Sequence, residues 1–189
     1  MNTPAHLIFG AAALARPGRR GTTAAALAGG LAPDLSLYLL AGASLAILQI
    51  PPAIVFGELY FSDAWQAVFA VDNSFLVWGA LLAFAARRGN LPAMALAGAA
   101  LIHVAADFAL HADDARAHFW PLTDWRFASP LSYWDSAHGA RWVAPLEGLA
   151  AGGLVVLLVQ RFRSWRWRLA WGGLLALELW AIRGWLLYF

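Results

Sequence analysis

The chain contains no cysteine and no lysine, and charged residues make up only 13% of it. The absence of cysteine excludes disulfides, thiolate metal sites, haem attachment through sulfur and cysteine nucleophiles. The small charged fraction stands beside 61% hydrophobic residues and 11 tryptophans, a composition far from that of soluble domains. The sequence therefore predicts an all-α, polytopic integral membrane bundle, in which any metal site is built from oxygen and nitrogen ligands.

Apolar runs between the polar segments predict six membrane segments. They lie near residues 4–15, 22–49, 65–86, 91–111, 142–160 and 169–188. The first is short of the ~20 residues that a full crossing needs, so it is interpreted as a half-span packed against its neighbours. No internal repeat is visible, and residues 1–189 are predicted to form a single membrane domain with a long outer loop at about 112–141.

Arginine is distributed unevenly, and this predicts the orientation. Nine of the thirteen arginines lie in three short clusters without acids: Arg16, Arg19, Arg20; Arg87, Arg88; and Arg161, Arg163, Arg166, Arg168. Short arginine-rich loops stay cytoplasmic, so both termini are predicted to lie outside. Basic residues follow the first apolar segment and do not precede it, which favours a retained helix over a signal peptide.

Three ionisable residues four positions apart stand out in the fourth segment: His103, Asp107 and His111. Their spacing places all three within roughly 80° of one helical face. Ionisable groups at membrane depth are costly and usually face a bundle interior or a cavity. The stripe is therefore predicted to point inward, where it suits a metal ion or a proton relay.

Two other segments carry polar interruptions. Pro33 and Asp34 lie about midway along the second segment, and Asp72 and Asn73 lie within the third. Proline is expected to break the second helix, and a broken helix at membrane depth requires protein or water to satisfy it. Both interruptions are predicted to face the polar interior.

The intramembrane polar residues are expected to converge in the middle and outer parts of the bundle: His6, Asp34, Asp72, Asn73, His103, Asp107 and His111. Aspartate and neutral histidine together suit zinc, with manganese or iron as alternatives. A packing role is the other interpretation. In that case Asp34 caps a helix, His103 bonds a neighbouring helix, and Asp72 and Asn73 join helices.

Three short motifs occur in order, Thr-x-x-His, Pro-Asp and His-x-x-x-Asp, at Thr3 and His6, Pro33 and Asp34, and His103 and Asp107. This order resembles the membrane-bound metal-dependent hydrolases, a group that includes the LexA-binding inner-membrane hydrolases of bacteria. The resemblance covers about the first 125 residues. It implies a hydrolase of the bacterial inner membrane whose divalent metal is held by His6, Asp34, His103 and Asp107.

The chain departs from that family pattern at two positions. Ser36 stands where a second acid follows the Pro-Asp, and Asp72-Asn73-Ser74 stands where Thr-His-Ser is usual. Asn73 offers an oxygen in place of the histidine nitrogen. A relative that kept the fold and lost the chemistry is therefore a second interpretation.

The loop at about 112–141 is long, aromatic and acidic, and long ordered loops tend to be functional. It is predicted to form a lid over the outer mouth of the bundle, with His111, Asp114 or His118 as general acid or base. Trp120, Trp125 and Trp134 would shape an apolar entrance. The alternatives are ordinary interfacial structure, with Asp113, Asp114 and Arg116 as a solvated helix end, or a surface metal site.

Two further acids lie in the last two segments. Glu147 is predicted to join the site or to cap its own helix, and Glu178 requires a partner that the sequence does not identify. The Arg-Trp stretch at 161–168 is explained by membrane anchoring, so membrane lipids are the expected partners and nucleic acid is not.

These features favour an integral membrane hydrolase acting on a phosphoester, ester or amide, with lipid-derived substrates fitting the outer half of the membrane. A non-catalytic membrane subunit or assembly factor with a protein partner is the alternative. A proton-coupled transporter ranks third, because it normally needs two related halves or paired broken helices.

Overall fold

The computed structural model describes residues 1–188, and within them the chain is helical without strands. The helices are α1 Thr3–Leu14, α2 Thr22–Gly42, α3 Pro52–Ile54, α4 Asp63–Asp72, α5 Phe75–Arg87, α6 Leu91–Leu110, α7 Ala140–Arg161 and α8 Trp165–Tyr188. The prediction of an all-α fold is confirmed. Residues 112–135, between α6 and α7, form no helix.

Four helical stretches of the described chain are long and apolar enough to cross a membrane: Thr22–Ile47, Asp63–Arg87, Leu91–Leu110 and Ala140–Arg161. The first extends α2 by a π-helical turn, and the second joins α4 to α5. Helix α1 is apolar but has 12 residues, about 18 Å of rise against a hydrocarbon core of about 30 Å. The fold is thus compatible with a membrane protein.

Helix α1 lies at the centre of the bundle and packs against α2, α6, α7 and α8. Its apolar side joins the main core, where Ile8 and Ala11 meet Leu158 and Trp171. The short segment is therefore buried by its neighbours, which explains how a sequence of twelve residues holds a fixed position.

Both ends of α1 are satisfied by side chains from α7 and α8. The backbone N–H groups of Asn2 and Ala5 donate to Glu147 (2.7 Å) and Glu178 (3.0 Å). At the other end, Arg161 Nη1 donates to the carbonyls of Ala12 (2.7 Å) and Ala15 (3.2 Å). Acids at a helix N-terminus and a cation at its C-terminus complement the helix dipole. The partner that Glu178 requires is thus the N-terminus of α1, and Glu147 shares it.

Glycines allow three helices to approach closely. A Cβ added to Gly29 of α2 would lie 2.0 Å from the Leu96 carbonyl oxygen of α6. One added to Gly30 would lie 2.9 Å from the His6 carbonyl oxygen of α1. Because no side chain separates the backbones at these points, α1, α2 and α6 meet where their polar residues lie.

The predicted break at Pro33 is wrong, because α2 is continuous from Thr22 to Gly42 with Pro33 inside it. The neighbouring Gly30 carbonyl accepts a hydrogen bond from His103 Nδ1 (2.7 Å), so a side chain of α6 bonds the α2 backbone close to the proline. The third segment is interrupted, since α4 ends at Asp72 and α5 begins at Phe75.

We expect Gly29→Ala to lower the free energy of unfolding by about 1 to 3 kcal/mol, because the new methyl group overlaps the α6 backbone. Gly79→Ala is the matched control, since a Cβ at Gly79 meets nothing within 4 Å. Thermal unfolding in detergent measures both. Equal melting temperatures for the two variants would contradict the close approach of α2 and α6.

We expect Arg161→Met to destabilise the protein by about 1.5 kcal/mol or more, because two carbonyls at the end of α1 lose a charged donor. Arg163→Met removes the same charge from an exposed position nearby. The same unfolding measurement compares them, and an equal loss in both would point to the net charge of the loop and not to α1.

Candidate metal centre

Three buried side chains converge where α1 meets α6. His6 comes from α1, and His103 and Asp107 lie one turn apart on α6. Each offers one ligand atom, and these atoms lie within 4.8 Å of one another. We call His6, His103 and Asp107 the ligand triad. A cluster of two imidazoles and a carboxylate at this spacing could hold a metal ion.

The Asp107 carboxylate is the centre of the triad. Its Oδ1 atom lies 3.0 Å from His6 Nε2 and its Oδ2 atom 3.0 Å from His103 Nε2. The α-amino group of Met1 lies 3.0 Å from Oδ1, and His111 Nε2 lies 3.3 Å from the same atom. One buried carboxylate thus has four nitrogen atoms around it.

The imidazoles of the triad are short of hydrogen-bond partners. Both ring nitrogens of His6 and the Nε2 atom of His103 are buried without one, although Asp107 is close. The two rings are stacked, with centroids 3.4 Å apart and planes 8° from parallel. Buried polar atoms normally find partners, so unpaired nitrogens beside a carboxylate fit a bound cation.

The tautomer of His103 supports this fit. A backbone carbonyl only accepts, so the bond to Gly30 places the ring proton on Nδ1. When His103 is neutral, its Nε2 lone pair therefore faces the Asp107 oxygen at 3.0 Å. Two electron-rich atoms at this distance repel unless a proton or a metal cation lies between them. A histidine whose second nitrogen is held by a carbonyl is also the usual arrangement of a metal ligand.

Asp34 lies beside the triad, with its Oδ1 atom 3.6 Å from His103 Nε2. Its other oxygen accepts a hydrogen bond from Thr3 Oγ1 (2.9 Å), and that hydroxyl also contacts Tyr38. It is not part of the group within 4.8 Å. Of the four ligands that the family resemblance implies, the structure brings three together and places Asp34 next to them.

His111 is held by the first residues of the segment after α6. Its Nδ1 atom is 2.8 Å from Asp114 Oδ2, while Nε2 points towards Asp107. Burial alone would raise the pKa of Asp114, but the hydrogen bond from His111 and the charge of His111, with a smaller contribution from the charge of Arg116, lower that pKa. An ionised Asp114 only accepts, so it keeps the proton of His111 on Nδ1.

His118 lies away from this group. Its Nδ1 atom is 2.9 Å from the Asn73 carbonyl oxygen, and its ring is 5.6 Å from both Phe75 and Phe108. Burial lowers the pKa of His118. The structure thus gives this candidate acid or base a packing position. The Asn73 side chain also joins elements, since its Nδ2 atom donates to the Pro33 carbonyl (3.3 Å).

A cavity of about 310 Å³ opens beside the triad and is lined by Asp34, Asp107, His111 and Asp114. The wall also contains Asn73, which was predicted to face the polar interior, and polar residues that sequence reasoning did not place there: Asn2, Thr3, Tyr38, Tyr60, Arg116 and Tyr133. The available signal for Arg116 was its position between Asp114 and His118, outside the three arginine clusters. The solvated helix end considered for Arg116 is wrong, because its side chain is buried.

Only part of the predicted aromatic entrance meets the cavity region. Trp134 lines an apolar groove that shares Tyr60, Asp114 and Tyr133 with the cavity wall. Trp125 is 54% exposed.

Comparisons of the chain with protein-family models, with curated proteins and with solved structures find no match. The chemistry of the centre is therefore inferred from its own residues.

We expect Asp107→Asn to lose most of its bound metal, because the carboxylate is the one anionic ligand of the triad. Elemental mass spectrometry of protein purified in detergent should find about one divalent ion per chain in the wild type. Asp113→Asn, an exposed change on the following segment, is the control. Equal metal content in both variants would rule out the triad as the metal centre.

Proposed function

We propose that the protein is an integral membrane, metal-dependent hydrolase. One observation carries the proposal: a buried triad with unpaired imidazole nitrogens adjoins a cavity that also contains a carboxylate-oriented histidine. The order of the three sequence motifs, which resembles the membrane-bound metal-dependent hydrolases, supports it. Zinc is the metal that two imidazoles and a carboxylate favour, with manganese or iron as alternatives.

Several residues of the chain would bind the metal or orient its ligands. His6, His103 and Asp107 would bind it, and Gly30 fixes the ring of His103 for that purpose. Asp34 stands close enough to His103 to join as a further ligand after a small shift. When bound, a divalent metal supplies Lewis acidity that polarises the scissile phosphoryl or carbonyl group and acidifies water.

His111 is the proposed general base. Its Nδ1 proton is held by Asp114, which leaves Nε2, 3.3 Å from Asp107 Oδ1, as the nitrogen that would accept a proton from water in the cavity. The pair follows the usual logic of an imidazole oriented by a carboxylate. The same nitrogen can then return the proton to the leaving oxygen or nitrogen of a phosphoester, ester or amide.

The position of the site suggests where the substrate comes from. Arg16, Arg19 and Arg163 line one groove together just beyond the C-terminal end of α1, whereas His6 of the triad lies near the N-terminal end of that helix. If the arginine-rich loops are cytoplasmic, with six segments in the inner membrane, the cavity faces the outer half. The loop at 112–141 would then cover it, and lipid-derived substrates would reach it directly.

One observation favours the non-catalytic alternative. Asn73 stands where the resembling family has a histidine, and its side-chain amide joins α4 to the backbone of α2. A membrane subunit that binds a protein partner would use such a contact for packing alone. This alternative requires a polar interior but no turnover.

We expect the purified protein to hydrolyse a chromogenic phosphoester, ester or amide, to lose activity with a chelator and to regain it with zinc. His111→Gln should reduce kcat by about 10² to 10⁴-fold while the metal content stays constant. His138→Gln is the control, because that histidine pairs with Asp135 outside the cavity. Metal-loaded protein without turnover on any of the three substrate classes would favour the non-catalytic subunit.

A further inference from the structure

Arg116 is a buried cation that the metal centre does not use. Its side chain lies in the non-helical segment after α6 and lines the same cavity as Asp107 and His111. Its Nη1 atom is buried and has no hydrogen-bond partner. Among the described residues, no carboxylate lies within ion-pair distance of its guanidinium group. Arginine is rarely buried unless it is paired.

Aromatic rings hold the guanidinium group in place. Its Cζ atom lies 4.2 Å from the Phe69 ring centroid and 4.6 Å from that of Tyr60. Nη2 donates to the Tyr60 hydroxyl at 2.6 Å. Burial raises the pKa of Tyr60 to about 12, so that hydroxyl stays neutral and provides no counter-charge. The cation is positioned and oriented, and it makes no direct ion pair within the described part of the chain, although its charge interacts with that of Asp114 at longer range.

An anionic substrate would complete this arrangement. The planar guanidinium group binds phosphate oxygens through paired hydrogen bonds. Arginine is therefore common in sites that hold a phosphate group in a fixed orientation. Arg116 lines the same cavity as Asp107, so an oxyanion group bound by Arg116 would lie beside the ligand triad. Of phosphoesters, esters and amides, only the phosphoester carries negative charge on the reacting group itself.

A groove beside the cavity is suited to the rest of such a substrate. It has a volume of about 520 Å³, is lined by Phe56, Phe61 and Trp134, and shares Tyr60 with the cavity. Phe56 and Phe61 are about half exposed, at 48% and 52%. An apolar groove that continues a polar cavity fits a molecule with a charged head and an apolar chain.

We propose that the substrate is a phosphate ester with an apolar chain, a lipid phosphate, whose phosphoryl oxygens bind Arg116 and whose chain lies in the groove. This inference rests on the proposed hydrolase and names its substrate class. In the reaction, a water oxygen forms a bond to phosphorus as the bond from phosphorus to the ester oxygen breaks. His111 accepts the proton of the water and returns it to the leaving oxygen, which yields an alcohol and phosphate.

Binding of phosphonates tests the proposal, because their carbon–phosphorus bond is not hydrolysed. Dodecylphosphonate, methylphosphonate and dodecanol are titrated calorimetrically into the full-length, metal-loaded protein in a non-ionic detergent. We expect dodecylphosphonate to bind more tightly than methylphosphonate. Arg116→Gln should weaken dodecylphosphonate about tenfold or more and leave dodecanol unchanged. Arg116→Lys keeps the positive charge but cannot form two parallel hydrogen bonds, so it should give an intermediate loss of dodecylphosphonate affinity.

Arg126→Gln is the matched control, because it removes an exposed arginine from the same segment. It should bind all three probes as the wild type does. If methylphosphonate and dodecylphosphonate bind with equal affinity, the apolar chain contributes nothing to binding. The substrate would then be a soluble phosphate and the proposal would be overturned. Unchanged phosphonate binding by both Arg116 variants would also overturn it.

Measuring the metal content of the same samples distinguishes failure of the substrate assignment from failure of the proposed hydrolase function. If the protein binds metal but its phosphonate affinity does not depend on Arg116, the substrate assignment alone fails. If the protein binds no metal and phosphonate affinity still depends on Arg116, the hydrolase fails and the lipid phosphate site remains as a binding site.

Discussion

The candidate centre depends on how closely the backbones of α1, α2 and α6 approach one another. Gly29 lets α6 pass against α2, and Gly30 lets α1 do the same. In a bundle surrounded by lipid, small residues at helix contacts replace the hydrophobic effect as the means of association. A side chain at Gly29 would overlap the α6 backbone and one at Gly30 would press on the α1 backbone at His6, so either would push apart the helices that bring His6 and His103 to within 3.0 Å of Asp107. The close approach is therefore a condition for the triad.

Polar groups inside the bundle are satisfied mainly by groups from other helices. Glu147 and Glu178 bond the beginning of α1, Arg161 bonds its end, and these contacts hold His6 in register with α6. Unsatisfied polar groups are expensive where water is excluded, so each contact that orders α1 also removes such a cost. Against this background, both ring nitrogens of His6, Nε2 of His103 and Nη1 of Arg116 are among the buried polar atoms without a hydrogen-bond partner. Arg116 lines the cavity together with Asp107, the carboxylate that faces the two imidazoles.

The spacing of residues within one helix could be predicted from the sequence, and contacts between helices could be predicted less well. His103 and Asp107 share a face of α6 because an i, i+4 spacing places them there in any α-helix. The continuity of α2 through Pro33 was not predictable from the proline alone, since it depends on the packing of α2 against α1 and α6. The position of His118 depends on the path of a non-helical segment, and periodicity says nothing about such a path. Arg116 lies in the same non-helical segment, so the sequence could not show whether its side chain is solvated or buried.

The distribution of charge in the cavity narrows the chemistry that it can favour. The triad alone would suit any oxygen that a metal polarises, including the carbonyl of a neutral ester or amide. Arg116 changes this balance, because a buried guanidinium group without a carboxylate partner favours a ligand that is already anionic. Such an interaction is stronger in a low-dielectric cavity than in water, and its donors are held before the ligand arrives, by Tyr60 and Phe69. A neutral acyl substrate would leave that charge with only its longer-range interaction with Asp114 and would gain less from the orientation of the guanidinium group. The position of one arginine thus favours a phosphoryl group over the other groups that the proposed hydrolase would attack.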